Sequence, residues 1–310
     1  MEFFNKTTSL PFMAQRRMWY ALSVAMVVGS IVLVLVRGLN FGIDFTGGVV
    51  VEAGYSAPAD LEATRRALAE AGLEGAQVQS FGTAADVLVR LPPAEGRQAM
   101  ALTEAAVAAI RSVDPAVEVR RTESIGPQVG KDLAEKGATA LLMTLLFIGL
   151  YVVLRFQWKF SVGAVLAALH DPFLVVGFFA LTQMTFDLAV LSAILAVIGY
   201  SLNDTVVVFD RVRERLLSMR KATPAEVVDR AINETLSRTL MTSLTTLLVV
   251  LALLLLGGEA LRGFAAALAV GIVVGTYSSI YVAGAAVLDL GLSQRDLMPP
   301  EKREEADGLP

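Results

Sequence analysis

The stretch GYSLNDTVVVFDRVRERL, residues 199–216, closes an apolar run that reads as buried in lipid, yet it carries Asn203 and Asp204 side by side. VVVF, residues 206–209, resumes the lipid-type run beyond the acid, so Asp204 sits inside the span rather than after it. Ionisable groups within a membrane are rare and face the bundle interior or water. Tyr200 lies one helical turn back, with Ser201 on the same side. Reading this run as a membrane span decides the fold class.

The rest of the composition agrees. Of 310 residues, 55% are apolar and 18% charged, with mean hydropathy +0.61, whereas a soluble domain carries about 25% charged residues. A span needs about 20 apolar residues, and six segments qualify: 18–36, 138–154, 160–181, 188–209, 240–256 and 264–288. The first follows Arg16 and Arg17 and is too long for a signal peptide, so it reads as an uncleaved anchor. Net charge −4 gives no sign of nucleic-acid binding, and the absence of cysteine excludes disulfides and thiolate metal sites.

Basic residues set the orientation. Lys6, Arg16 and Arg17 precede the first span, and Arg155 and Lys159 separate the second from the third. Arg211, Arg213, Arg215, Arg220, Lys221, Arg230 and Arg238 lie between the fourth and fifth, while the opposite loop TQMTFD holds no base and GGEALRG only Arg262. Both termini are expected in the cytoplasm. The chain then divides into 1–38 (N-terminus and first span), 39–136 (an external domain), 137–290 (five spans) and 291–310 (a cytoplasmic tail).

In the external segment the pattern changes to alternation. VVVEAGY, AQVQSFG, DVLVRL and VEVRRTES read as strands, and DLEATRRALAEAGL and EGRQAMALTEAAVAAIRSV as helices. The β-α-β-β-α-β order predicts a ferredoxin-like α+β domain inserted between the first and second spans. It has no histidine, no cysteine and no catalytic constellation, which points to a binding or packing module rather than an enzyme. On the opposite side, Thr223-Pro224-Ala225-Glu226 opens a helix with a capping box. That helix reads either as lying at the membrane face before the fifth span turns inward, or as a solvated connector.

Other polar groups fall within spans. His170-Asp171-Pro172 lies near the middle of the third. His170 is the only histidine, so a two-histidine metal site is excluded, and proton handling or packing remains. Arg238 begins the fifth span at nearly the depth of Asp204, and steps of three and four from it reach Thr242, Thr245 and Thr246. Asp204, Arg238 and this hydroxyl stripe, with Asn203, Tyr200 and Ser201 nearby, are the parts of a proton path. Burial favours the neutral acid and a nearby guanidinium the charged one, so a movement that separates the pair changes proton affinity. Ala267, Gly271, Gly275, Ser279 and Ala283 form a small-residue seam on the sixth span, fitted for a close partner helix in this chain or another.

GIDFTGG (42–48), ESIGPQVG (123–130), LHDP (169–172), GYSLNDTVVVFDRVRE (199–214) and NETLSRTLMTS (233–243) resemble the SecF family, the smaller subunit of the bacterial SecD–SecF protein-export complex. The resemblance covers nearly the whole chain in order. It implies a member of the resistance-nodulation-division superfamily that couples proton flow to movement of external domains, with Asp204 and Arg238 as the proton-relay pair. It also implies a bacterial inner-membrane location, a six-span SecD-like partner, a Sec channel, an unfolded polypeptide substrate and the proton gradient as energy source, with no cofactor. The chain resembles the form in which the two subunits are separate. A drug or lipid exporter of the same superfamily and a passive membrane scaffold are the rival readings.

Overall fold

The computed structural model describes residues 8–94, 99–219 and 221–293. Lys6, Arg220, the opening residues 95–98 of the expected second domain helix, and the tail after 293 lie outside the described residues.

Among the described residues, six helical segments are long and apolar enough to cross a membrane. After a short 3-10 turn, Phe12–Gln15, comes α1 (Arg16–Arg37), and α2 (Ile43–Thr46) is a single turn. The inserted domain follows as β1 (Gly48–Gly54), α3 (Leu61–Glu70), β2 (Gln77–Phe81), β3 (Thr83–Leu91), α4 (Ala99–Val113) and β4 (Glu118–Ile125). The bundle resumes with α5 (Pro127–Arg155), α6 (Trp158–Thr182), α7 (Leu188–Ser218), α8 (Pro224–Leu256) and α9 (Glu259–Ser278). A π-helical turn, Ser279–Ala283, joins α9 to α10 (Gly284–Asp289).

The four strands pair antiparallel in the order β2-β3-β1-β4, which is the expected ferredoxin-like arrangement. Alternation explains the two faces. Val49, Val51, Ala53, Val87 and Val89 point to one side and pack with Leu68, Leu102, Ala106 and Ile110 of the two helices. Glu52, Leu88, Arg90, Arg121 and Glu123 point to the other, across a cleft from Asp44, Thr185 and Asp187 at the end of the bundle. Burial pushes the Glu52 carboxyl up, and Arg121 acts against that shift.

The double glycine of GIDFTGG is required by this junction. Gly48 has φ 122°, and a Cβ there would meet the Leu91 carbonyl oxygen at 2.3 Å. Asp44 of the same motif accepts from Leu188 N at 3.0 Å, and Asp187 caps α7 by accepting from Val190 N at 2.8 Å. Burial pushes the Asp187 carboxyl up, opposed by the backbone hydrogen bonds at the cap.

Several boundaries differ from the sequence reading. The expected fourth span, ending at 209, continues to Ser218, because Arg211 and Arg215 find Glu234 on the neighbouring helix and the polar end stays helical. The capped helix at Thr223 and the fifth span are one continuous 33-residue helix, not a surface helix followed by a turn. No helix breaker lies between them: 225–239 holds neither proline nor glycine. The capping box itself is present, with Thr223 N donating to Glu226 Oε2 at 2.7 Å and Glu226 N donating to Thr223 Oγ1 at 3.3 Å. Pro172 lies within α6, which stays continuous around it.

About half of the most apolar stretch of α6, α7 and α9 is buried within the protein, against much less of α1, α5 and α8. The small-residue seam finds its partner in this chain: a Cβ on Gly271 would lie 2.1 Å from Val197 and one on Gly275 2.9 Å from Ser201, so α9 lies tight against α7.

Candidate functional site

Three inner helices bring polar side chains together in an apolar interior. On α7, Asp204 is 3% exposed, and Ser201 and Thr205 are each 1% exposed. Thr205 satisfies its hydroxyl by donating to the Ser201 carbonyl at 3.2 Å. Asp204 has no such partner: its Oδ2 is buried without a hydrogen bond. Arg238 of α8 acts on it electrostatically, but among the described residues no ion pair within 4.0 Å joins the two. The expected pair is therefore apart in this conformation.

The hydroxyl stripe lies on the outer side of α8. Thr242 and Thr245 are exposed with Arg238, Thr246 is half-buried, and Asn203 of α7 is exposed as well. Each threonine donates back to its own helix, for example Thr245 Oγ1 to the Met241 carbonyl at 2.8 Å and Thr246 Oγ1 to the Thr242 carbonyl at 2.8 Å. The reason is rotational. Ser243 and Thr239, one position off the stripe, take the inner face of α8 and turn Arg238, Thr242 and Thr245 outward. Tyr200 donates to Ser243 Oγ at 3.4 Å, which pairs with Thr276 Oγ1 at 2.7 Å.

Ser201 points to a second carboxylate. Asp171 of α6 is fully buried, and its Oδ2 accepts from Ser201 Oγ in a short contact and from Ser278 Oγ of α9 at 2.9 Å. Its Oδ1 lies 3.0 Å from His170 Nδ1. The opposite ring nitrogen, Nε2, is buried with no partner. Beside the imidazole stands Tyr277, ring centroids 6.0 Å apart, whose hydroxyl meets Ser23 Oγ of α1 at 2.6 Å. Ser23, Tyr277 and Ser278 were not singled out from sequence. The signal was present in TYSS, residues 276–279, four polar residues in a row inside an apolar span. Among the described residues no group of three His, Cys, Asp or Glu side chains gathers to hold a metal ion.

Comparison with known proteins identifies the family. Residues 105–293 match the model of the protein export membrane protein SecD/SecF C-terminal family, and residues 32–59 match the SecD/SecF GG motif, which contains Gly47 and Gly48. The chain is 46% identical to the protein translocase subunit SecF of Vibrio alginolyticus over 96% of this chain and 95% of that one. It is 45% identical to the subunit of the same name from Pseudomonas aeruginosa over 98% and 99%. The crystal structure of SecDF, a translocon-associated membrane protein from Thermus thermophilus, superposes with a TM-score of 0.82 at 38% identity. That match covers 94% of this chain and 39% of the longer one. These relatives are transport subunits rather than enzymes, and with six membrane helices and an inserted ferredoxin-like domain the chain is a multi-pass membrane protein belonging to the SecF family of protein translocase subunits.

Proposed function

We propose that the chain couples proton entry through its bundle to movement of the inserted domain, and so assists export of unfolded polypeptide through a Sec channel. In this reading Asp204 carries the proton and Arg238 is its movable counter-charge. The observation that carries it is the buried Asp204 carboxylate with one oxygen unpartnered, while the guanidinium that acts on it lies outside ion-pair range. A carboxylate so placed must be neutral, hydrated or paired. Approach of Arg238 favours its ionised form, and separation favours proton uptake. A membrane potential supplies about 2.3 kcal/mol per charge per 100 mV, enough to bias two arrangements of one bundle.

The outward row of Asn203, Arg238, Thr242 and Thr245 supports a partner of complementary polarity, because an exposed arginine on a span is costly against lipid. That partner is a six-span SecD-like subunit, in a bacterial inner membrane, with the inserted domain external and both termini cytoplasmic.

The test is export driven by the proton gradient in membranes containing the chain with its partner. Asp204→Asn keeps size and polarity but cannot titrate; it is expected to abolish gradient-driven export at normal abundance and leave ATP-driven export intact. Arg238→Met is expected to do the same. Asp187→Asn is the control, since asparagine caps a helix as well as aspartate does. Full gradient-driven export by Asp204→Asn would favour a passive scaffold instead.

A further inference from the structure

We propose that Asp171 is a second proton-binding carboxylate, reached from Asp204 through the Ser201 hydroxyl. The proposal rests on the proton-coupling reading above and extends it to a site inside the three-helix core.

Asp171 is the point where α6, α7 and α9 meet. Its carboxylate is fully buried and collects the hydroxyls of Ser201 and Ser278 and the imidazole of His170. A structural cross-link alone would account for those three contacts. It does not account for the two ends of the chain, each of which carries a buried polar atom without a partner: Asp204 Oδ2 at one, His170 Nε2 at the other. Nor does it account for the backbone at Ser278, which ends α9 where the π-helical turn Ser279–Ala283 begins. Such turns are uncommon and cluster at functional sites.

The connection between the carboxylates follows from helix geometry. Helical side chains lean toward the N-terminus over the residue three or four positions earlier, which places Asp204 over Ser201 on the same face of α7. No hydrogen bond joins the two in this arrangement, so transfer waits until the Asp204 carboxyl swings onto Ser201 Oγ. A proton then leaves the Asp204 carboxyl oxygen for Ser201 Oγ as the serine passes its own to Asp171 Oδ2. One O–H bond breaks on Asp204 and one forms on Asp171; Ser201 ends as it began, and the negative charge moves from Asp171 to Asp204. Rotation of the Asp171 carboxyl then brings the protonated oxygen to the Oδ1 position, 3.0 Å from His170 Nδ1; there the O–H bond breaks as the N–H bond forms, and Asp171 is left ionised. The titratable and charged groups facing this chain are His170 on α6, Asp204 on α7, Tyr277 on α9 and, through Asp204, Arg238 on α8; α1 contributes the Ser23 hydroxyl.

The experiment uses the full chain with its partner in proteoliposomes, reading proton flux under an imposed gradient and the carboxylic C=O bands in infrared difference spectra on acidification. Asp171→Asn keeps an acceptor for both serines but cannot take up a proton. It is expected to lower flux about 100-fold, the scale of a lost proton-transfer group, with partner association unchanged and one carboxylic band missing. Asp204→Asn is expected to remove a different band. Ser201→Ala leaves both carboxyls but cuts the link, so both bands persist while flux falls; this variant decides the matter if Asp171→Asn does not assemble. Full flux in Ser201→Ala, or in an assembled Asp171→Asn, overturns the proposal, as does a band at Asp171 that responds to sodium and not to pH. If Asp204→Asn keeps full flux while Asp171→Asn loses it, the proton-coupling role of Asp204 fails and the relay from it fails with it. If Asp204→Asn loses flux and Asp171→Asn does not, only the second site fails.

Discussion

Arg90 Nη2 donates to Thr185 Oγ1 at 2.9 Å, and the same guanidinium reaches Asn40 Oδ1 at 3.0 Å and the Phe41 carbonyl at 3.3 Å through Nη1. One side chain on the uncovered face of the sheet thus holds the inserted domain to the segment after α1 and to the loop between α6 and α7. Burial pushes the Arg90 guanidinium below its ordinary value, with Asp187 acting the other way.

Replacing Arg90 with leucine is expected to loosen the domain on the bundle without unfolding either. Two of the lost hydrogen bonds are part-buried and one is exposed, and each contributes about 0.5–1.5 kcal/mol. Hydrogen exchange should rise at residues 40–42 and 183–187 and stay unchanged at Val49–Val51, deep in the domain core. Unchanged exchange at both loops would show that Arg90 does not hold the junction. Arg90→Lys should restore little, since an ammonium cannot fork to two partners as a guanidinium does.

The inserted domain is expected to fold alone, because its core cluster closes within its own strands and helices. Residues 39–136 should give a mixed helix and strand circular dichroism spectrum and a cooperative melt. In that fragment Asp60→Ala should cost about 1 kcal/mol, since Asp60 Oδ1 caps α3 by accepting from Glu62 N and Ala63 N at 3.0 Å each. A disordered or all-helical fragment would contradict this.

Acid should weaken the same fragment through Asp114. Hydrogen bonds from Ser56 N, Ser56 Oγ and Ala116 N hold its carboxyl below the ordinary 3.8. A carboxyl depressed by folding stabilises the fold above its unfolded pKa, and that contribution is lost as pH falls through the lower folded value. Melts taken from pH about 5 down to about 2 should show a loss in the wild type that is smaller in Asp114→Asn. Parallel curves would exclude the residue as a source.

Two glycines on neighbouring helices should respond oppositely to alanine. At Gly271 a Cβ would fall 2.1 Å from Val197 Cγ2, whereas at Gly199 nothing lies within 4 Å. Gly271→Ala is expected to destabilise by about 1–3 kcal/mol through overpacking. Gly199→Ala should be neutral or stabilising by up to about 1 kcal/mol from helix propensity. Thermal unfolding in detergent compares them directly.

Much of this architecture is written locally and is therefore legible. Period-two alternation located the strands, Thr223 and Glu226 located a helix start, and the length of the apolar runs located the spans. Rotation of a helix about its axis is set by its neighbours, which a stretch of sequence does not show. The Arg238–Thr242–Thr245 row is a valid stripe, yet whether a stripe faces inward depends on what competes for the interior, and Ser243 and Thr239 occupy it. The same limit hid the convergence of Asp171, Ser201 and Ser278, which come from three helices far apart in sequence.

The joint between β4 and α5 has a mechanical consequence. Strand β4 ends at Ile125 and the 29-residue α5 starts at Pro127, leaving Gly126 as the sole hinge pin. At 1.5 Å per residue such a helix is about 44 Å long, well beyond a hydrocarbon core of about 30 Å. Its surplus length stands proud of the membrane and meets the sheet head-on, like a driveshaft coupled to a blade. Gly130 seats this shaft against Gly47, where a Cβ would approach the Gly47 nitrogen to 2.7 Å. A tilt of α5 in the bilayer therefore has a joint of one residue through which to reach β4.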